Sequence, residues 1–339
     1  MLQNKSDFET LIKETAMHRN DFIKALLGSA SLIAMDGFSS IANSFSSMNI
    51  PLNKTGRDAT FGAIHLNITN LDKSIGFYTE LIGMKLRTRS EKSAELGTET
   101  KTLLVLHQSA KSRFKKGYSG LYHFAIHAPN TREFANMVKR VFDKKYPSSP
   151  VDHTMSKSLY LDDPDGINVE FTLETPERFK RVVTDHGIGI EDMDGNIRSA
   201  SAQLDLNEVL SHADNSKPNN IIDKDTYLGH IHLYANNVEE SNSFYQKIGF
   251  ESFNFLPQFM YADVGAGGSY KHRIAMNSWH GENKSLAPIE NAGLRHFHIV
   301  FDSKERLEMA IVNAPDFTKK DGEYWLIDPS GNKFCVTYL

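Results

Sequence analysis

From residue 60 onward the apolar positions fall into short alternating runs separated by polar turns, and the runs recur. Gly62-Ala63-Ile64-His65-Leu66-Asn67-Ile68 alternates as a half-buried strand does, and Ser74-Ile75-Gly76-Phe77-Tyr78 with Ile82-Gly83 behind it reads as a short helix stopped by glycine. The same order returns as Gly229-His230-Ile231-His232-Leu233-Tyr234-Ala235, then Ser241-Asn242-Ser243-Phe244-Tyr245 and Ile248-Gly249. A second anchor also occurs twice. Tyr160-Leu161-Asp162-Asp163-Pro164-Asp165-Gly166-Ile167-Asn168-Val169-Glu170-Phe171 is echoed by Trp325-Leu326-Ile327-Asp328-Pro329-Ser330-Gly331-Asn332-Lys333-Phe334-Cys335-Val336. Asp-Pro-x-Gly between alternating apolar residues predicts a tight turn joining antiparallel strands.

Laid out in order, the anchors give four units at roughly 60–108, 120–174, 227–279 and 293–339, each with one strand, one helix and about three further strands. Units this short cannot bury a core alone. The expected fold is therefore α+β: four tandem βαβββ modules pairing into two half-open barrels, each pair enclosing a cleft. The chain divides into a leader (1–56), modules 1 and 2 (57–175), a long connection (176–226) and modules 3 and 4 (227–339). A connection of that length carries structure or function of its own, and Ala202 to Leu210 has the pattern of one or two helical turns.

Composition narrows the partner. The 339 residues include 38 basic and 42 acidic side chains, a formal charge of −4, so nothing points to nucleic acid or anionic lipid, and a small molecule is the expected partner. Oligomeric state is left open, a homo-oligomer included. The single cysteine, Cys335, excludes an intrachain disulfide or a cysteine-based metal site, whereas 14 histidines supply nitrogen ligands. In the leader, Arg19-Asn20-Asp21-Phe22-Ile23-Lys24 precedes an apolar run ending at Met35 that is too short to span a bilayer. Residues 19–35 resemble a degenerate twin-arginine export signal, with Asn20 where the second arginine belongs. The competing expectation is a cytoplasmic protein whose leader is a docked helix.

Register selects among the histidines. His123 in module 2 aligns with His296 in module 4, and His232 in module 3 aligns with His65 in module 1, which leaves Ala63 where module 3 has His230. The last-strand carboxylate Glu170 of module 2 aligns with Cys335. One complete set of two histidines and one carboxylate remains: His123, Glu170 and His230. Such a set leaves open positions on a metal, the arrangement of non-heme iron(II) oxygen chemistry. His65, His232, His280, His296 and His298 are expected to be structural or pocket-lining, Trp279 to wall the cleft or fill core, and Cys335 to be a buried strand residue.

The tandem units resemble the vicinal oxygen chelate superfamily. Val151-Asp152-His153, Leu159-Tyr160, Asp163-Pro164-Asp165-Gly166 and Glu170 fit the signature of its extradiol ring-cleavage dioxygenases without a departure, and residues 60 to the end are similar to four-module bacterial catechol 2,3-dioxygenases. The resemblance implies His123, His230 and Glu170 as iron(II) ligands, with manganese(II) the alternative ion. It implies Tyr160 as a hydrogen-bond donor to a substrate oxygen, His153 as its neighbour, and His272 as the acid/base group. The substrates would be dioxygen and a small aromatic diol, a catechol or a hydroquinone. Many such relatives place the complete set in the last two modules, so here modules 2 and 3 must meet. Two rival functions share the fold: a glyoxalase-like metal-dependent isomerase or transferase, and a non-catalytic binder of aromatic drugs.

Overall fold

A computed structural model describes residues 58–185, 187–214 and 221–339, all within one compact unit, Asn53–Leu339. The leader, with its signal-like stretch at 19–35, lies outside the described residues. Among the described residues no helix is long and apolar enough to cross a membrane.

The four repeats are βαβββ modules. Module 1 comprises β1 (Ala59–Ile68), α1 (Leu71–Gly76, continued by one π turn at Phe77–Leu81), β2 (Lys85–Arg89), β3 (Ser93–Gly97) and β4 (Thr102–Gln108). Module 2 comprises β5 (Gly120–His127), α2 (Thr131–Asp143), β6 (Ser149–Asp152), β7 (Ser156–Asp162) and β8 (Asn168–Glu174). The connection carries β9 (Phe179–Val183), β10 (Gly189–Asp192) and β11 (Ile197–Ser199) as a small sheet of its own, then β12 (Ala202–Gln203) and α3 (Leu206–Ser211). Module 3 comprises β13 (Tyr227–Tyr234), α4 (Val238–Lys247), β14 (Glu251–Leu256), β15 (Tyr261–Gly265) and β16 (Ile274–Asn277). Module 4 comprises β17 (Gly293–Phe301), α5 (Lys304–Asn313), β18 (Thr318–Lys320), β19 (Glu323–Ile327) and β20 (Lys333–Tyr338).

Local chemistry repeats with the modules. Each of these four module helices opens on a polar cap, Asn70, Asn130, Asn237 or Ser303, whose side chain accepts from a backbone N–H three residues on. That bond satisfies one of the helix's orphan donors. The two Asp-Pro-x-Gly turns are also built alike. Asp163 Oδ1 accepts from the amides of Asp165 and Ile167, both at 2.9 Å, and Asp328 Oδ1 accepts from those of Ser330 and Asn332 at 2.9 and 2.8 Å. Gly166 (φ 83°) and Gly331 (φ 89°) take the left-handed turn position that side chains disfavour.

The two sequence anchors recur together because they touch. Tyr78 donates its hydroxyl to Asp163 at 3.1 Å, and Tyr245 donates to Asp328 at 2.9 Å. The helices thereby tie module 1 to module 2 and module 3 to module 4. The strands join different partners. One sheet has the order β18-β19-β20-β17-β1-β4-β3-β2, joining modules 4 and 1, and the other the order β12-β6-β7-β8-β5-β13-β16-β15-β14, joining modules 2 and 3. Each seam is an antiparallel pair of first strands, with His65 opposite His296 in one and His232 opposite His123 in the other. Beneath the strands lie buried rings such as Phe297, stacked on Phe334 at 5.2 Å between centroids, each contributing about 1.5–3 kcal/mol by burial.

Candidate metal centre

Three adjacent strands place the donors of the module 2–3 cleft. Ala125 on β5 sits between Glu170 on β8 and His230 on β13 in register, and alternation along β5 puts His123, Ala125 and His127 on one face. The methyl of Ala125 leaves room for its neighbours to meet above it. Glu170 Oε2 lies 3.0 Å from His123 Nε2 and 2.9 Å from His230 Nε2, and the two imidazole nitrogens are 3.3 Å apart. All three side chains are buried.

The hydrogen bonds behind His230 fix its tautomer. Glu174 accepts from His127 Nδ1 at 2.9 Å, from Arg273 at 2.7 Å and from the Tyr227 hydroxyl at 2.6 Å. A carboxylate only accepts, so His127 carries its proton on Nδ1, and its Nε2 receives the Nδ1–H of His230 at 2.8 Å. His230 Nε2 is then a bare lone pair aimed at a carboxylate oxygen. Burial, opposed by Glu170, holds His230 well below the ordinary histidine range.

Acceptors that converge at such distances repel unless positive charge sits among them. Ligand atoms about 2.1 Å from a cation and at right angles to one another are about 3.0 Å apart, against about 3.4 Å in a tetrahedron. The observed edges of 2.9–3.3 Å fit one face of an octahedron better. His123, Glu170 and His230 thus fit a divalent ion, with the opposite face open. Nitrogen and carboxylate donors without thiolate suit iron(II) or manganese(II).

The other expected residues come to the same cleft. The Tyr160 ring lies 5.4 Å from that of His123, edge to face, and pairs with Glu170 across β7 and β8. His153 Nδ1 donates to the Ala200 carbonyl at 2.6 Å, so its Nε2 accepts from the Tyr160 hydroxyl at 2.9 Å. Burial first, then the Glu170 charge, raises Tyr160 well above the usual phenol value, which keeps it a donor. His272 has its ring 4.6 Å from that of His230. Its Nδ1 donates to Asp263 Oδ2 at 2.7 Å, leaving Nε2 unprotonated when the ring is neutral.

Sequence reasoning missed four contributors. Asp263 is buried on β15, held by the Asn254 amide and the Tyr261 hydroxyl, and orients His272. A polar Tyr261/Asp263 pair on one face of an otherwise apolar strand was its available signal. His127 and Glu174 form the chain behind His230, and the even spacing that puts His127 on the same strand face as His123, and Glu174 on the same face as Glu170, was theirs. Gly229 completes the arrangement: a Cβ there would lie 2.1 Å from the His127 ring. His232, expected to be structural or pocket-lining, is buried beside the donors, bonded to Asn277 at 2.8 Å and with its ring 4.9 Å from that of His123. Trp279 meets Tyr122 edge to face at 5.7 Å and stacks on Tyr261 at 6.3 Å, so it belongs to an aromatic wall beside the donors. His280 stacks on Tyr234 at 3.7 Å and accepts from the Gly117 amide at 3.0 Å, outside the donor cluster.

Residues 60–171 match the Glyoxalase/Bleomycin resistance protein/Dioxygenase superfamily. The chain is 28% identical over 256 residues to the catechol-2,3-dioxygenase of Bacillus subtilis (strain 168), a match covering 74% of this chain and 86% of that protein. Over 117 residues it is 28% identical to the lactoylglutathione lyase of Neisseria meningitidis serogroup A, covering 31% of this chain and 84% of the lyase. A crystal structure from Bacillus subtilis subsp. subtilis str. 168, assigned as a dioxygenase, shares the fold with a TM-score of 0.53 at 12% identity, covering 85% of this chain and 86% of that one.

Proposed function

Since residues 60–171 form a domain of the glyoxalase, bleomycin resistance protein and dioxygenase superfamily, we propose that the protein is an extradiol dioxygenase, opening a catechol-type ring with dioxygen in the module 2–3 cleft. The observation that carries this reading is the convergence of His123, Glu170 and His230 on one point with His272 beside it. Iron(II) held there would bind the diol through its vicinal oxygens and let dioxygen draw electrons from it.

The chain's own groups supply the rest. The neutral His272 ring, steered by Asp263, takes the second phenolic proton at Nε2 and returns it as the ring opens. Tyr160, whose single hydroxyl proton goes to His153 Nε2 in the resting site, would turn that O–H toward a substrate oxygen as negative charge develops there. The rings of Tyr122, Tyr261 and Trp279 offer flat apolar walls that suit a planar substrate. A lyase-like isomerase with a further protein carboxylate on the metal is disfavoured, because among the described residues the cluster holds only Glu170.

The test is anaerobic loading with iron(II), addition of catechols and hydroquinones in turn, then admission of oxygen. Uptake of oxygen with a yellow product from at least one diol is expected. No uptake with any of them, alongside turnover of a hemithioacetal, would replace this reading with the isomerase.

A further inference from the structure

The cleft between modules 1 and 4 holds a second cluster that the proposed reaction does not use. His65 on β1 faces His296 on β17, His298 lies two residues along β17, and His107 on β4 completes the group. One ring nitrogen from each of His65, His296 and His298 lies within 4.8 Å of the others. His65 Nδ1 and His107 Nε2 are hydrogen-bonded at 3.0 Å. His298 Nε2 is buried with no hydrogen-bond partner among the described residues.

This cluster does not repeat the first one. His296 takes the register position of His123, but His65 takes that of His232, His298 that of Ala125 and His107 that of Asn277. The carboxylate position is held by Cys335, a buried thiol that burial first, and then the Glu323 charge, pushes up to about 12. Among the described residues the only hydrogen bond that holds these rings is the one between His65 and His107. Neutral imidazoles without carboxylate or thiolate are the donor set of the later divalent metals.

We propose that His65, His296 and His298 form a second, all-imidazole metal site, with His107 behind His65, that takes a divalent ion of the zinc class. Three imidazoles and an open position make a zinc donor set. The His65 ring stacks on His296 at 3.9 Å and lies 5.0 Å from His298, with planes within 24° and 22° of parallel. Lone pairs of parallel rings do not meet at a point, so binding turns at least one ring about its Cβ–Cγ bond. The half-buried side chains have that freedom, and the His65–His107 bond gives a neutral orienting partner of the kind that fixes metal-ligating histidines. The site does not depend on the reaction assigned to the other cleft.

Zinc ions alone are the probe. The full chain, stripped with a chelator and dialysed against zinc, should hold about two ions, one per cleft. Glu170→Ala with His230→Ala should retain about one, and adding His296→Asn and His298→Asn should remove it. Anomalous diffraction at the zinc edge on the unaltered chain gives a result that needs no variant to fold. A peak bonded to His65, His296 and His298 is expected. A peak only at His123, Glu170 and His230, or zinc retention in the first double variant that the added substitutions leave unchanged, overturns the proposal.

Discussion

The two clefts are cut from equivalent strands of different modules in matching register, yet they carry different donors. Between modules 2 and 3, a small residue, Ala125, lets an anionic Glu170 and a histidine braced from behind meet His123. Between modules 1 and 4, His298 occupies the position of Ala125, Cys335 that of Glu170 and Val300 that of His127. Among the described residues no carboxylate takes the register position of Glu170 there, and the bracing role falls to a single neutral imidazole, His107 behind His65. The difference teaches that the fold supplies convergent positions, while the side chains at a few of them decide which ion, if any, is held and whether oxygen chemistry follows.

The largest effect expected breaks the first cleft. Glu170→Ala removes its anion and should cost both bound iron(II) and at least about 10³-fold in turnover, because two neutral imidazoles hold the ion poorly; elemental analysis beside oxygen uptake checks it. Next, His272→Phe should keep iron but slow turnover about 10²-fold, the usual contribution of a placed acid/base group. An unchanged rate would remove His272 from the mechanism. Gly229→Ala should drive His127 away from His230 and weaken iron binding about 10–100-fold, the usual cost of losing a group that orients a ligand. Equal affinity in a metal-competition titration would show that the brace is idle.

The smallest effect is a pH dependence of the second cleft. Burial first, then neighbouring imidazoles, pushes His65 down to about 2 and His296 down to about 3. An unfolded histidine takes its proton near pH ~6.5, so below that value the unfolded chain binds protons that the folded chain refuses. Stability contributed by these residues is therefore full above pH ~6.5 and is lost as pH falls through the folded values. His65→Asn with His296→Asn should shrink the loss of stability between neutral and mildly acid pH, measured by urea unfolding of the metal-free protein. An equal loss in both proteins would contradict the burial argument.

Much of this was legible in the sequence because the anchors are contact residues. The Phe-Tyr pairs and Asp-Pro-x-Gly turns recur since Tyr78 and Tyr245 bond Asp163 and Asp328 across modules. Alignment of those anchors singled out His123, Glu170 and His230 and the meeting of modules 2 and 3. What stayed hidden depends on neighbours far apart in sequence. Asp263 reaches His272 because the pairing of β15 with β16 folds the loop between them back over β15, and Glu174 meets Arg273 only across the seam. His65, His296 and His298 were expected to be structural or pocket-lining and His107 was not singled out, and only the closing of module 1 on module 4 makes them a group. The long connection gave no periodic signal for β9–β11, three short strands that pair only with one another.

The most direct test of the central claim is to let the iron(II)-loaded protein act on a catechol under ¹⁸O₂ and to identify the product by mass spectrometry. The account predicts a ring opened beside the two hydroxyl-bearing carbons, a yellow semialdehyde carrying both labelled atoms. A muconate opened between those carbons, or a product without label, would contradict it.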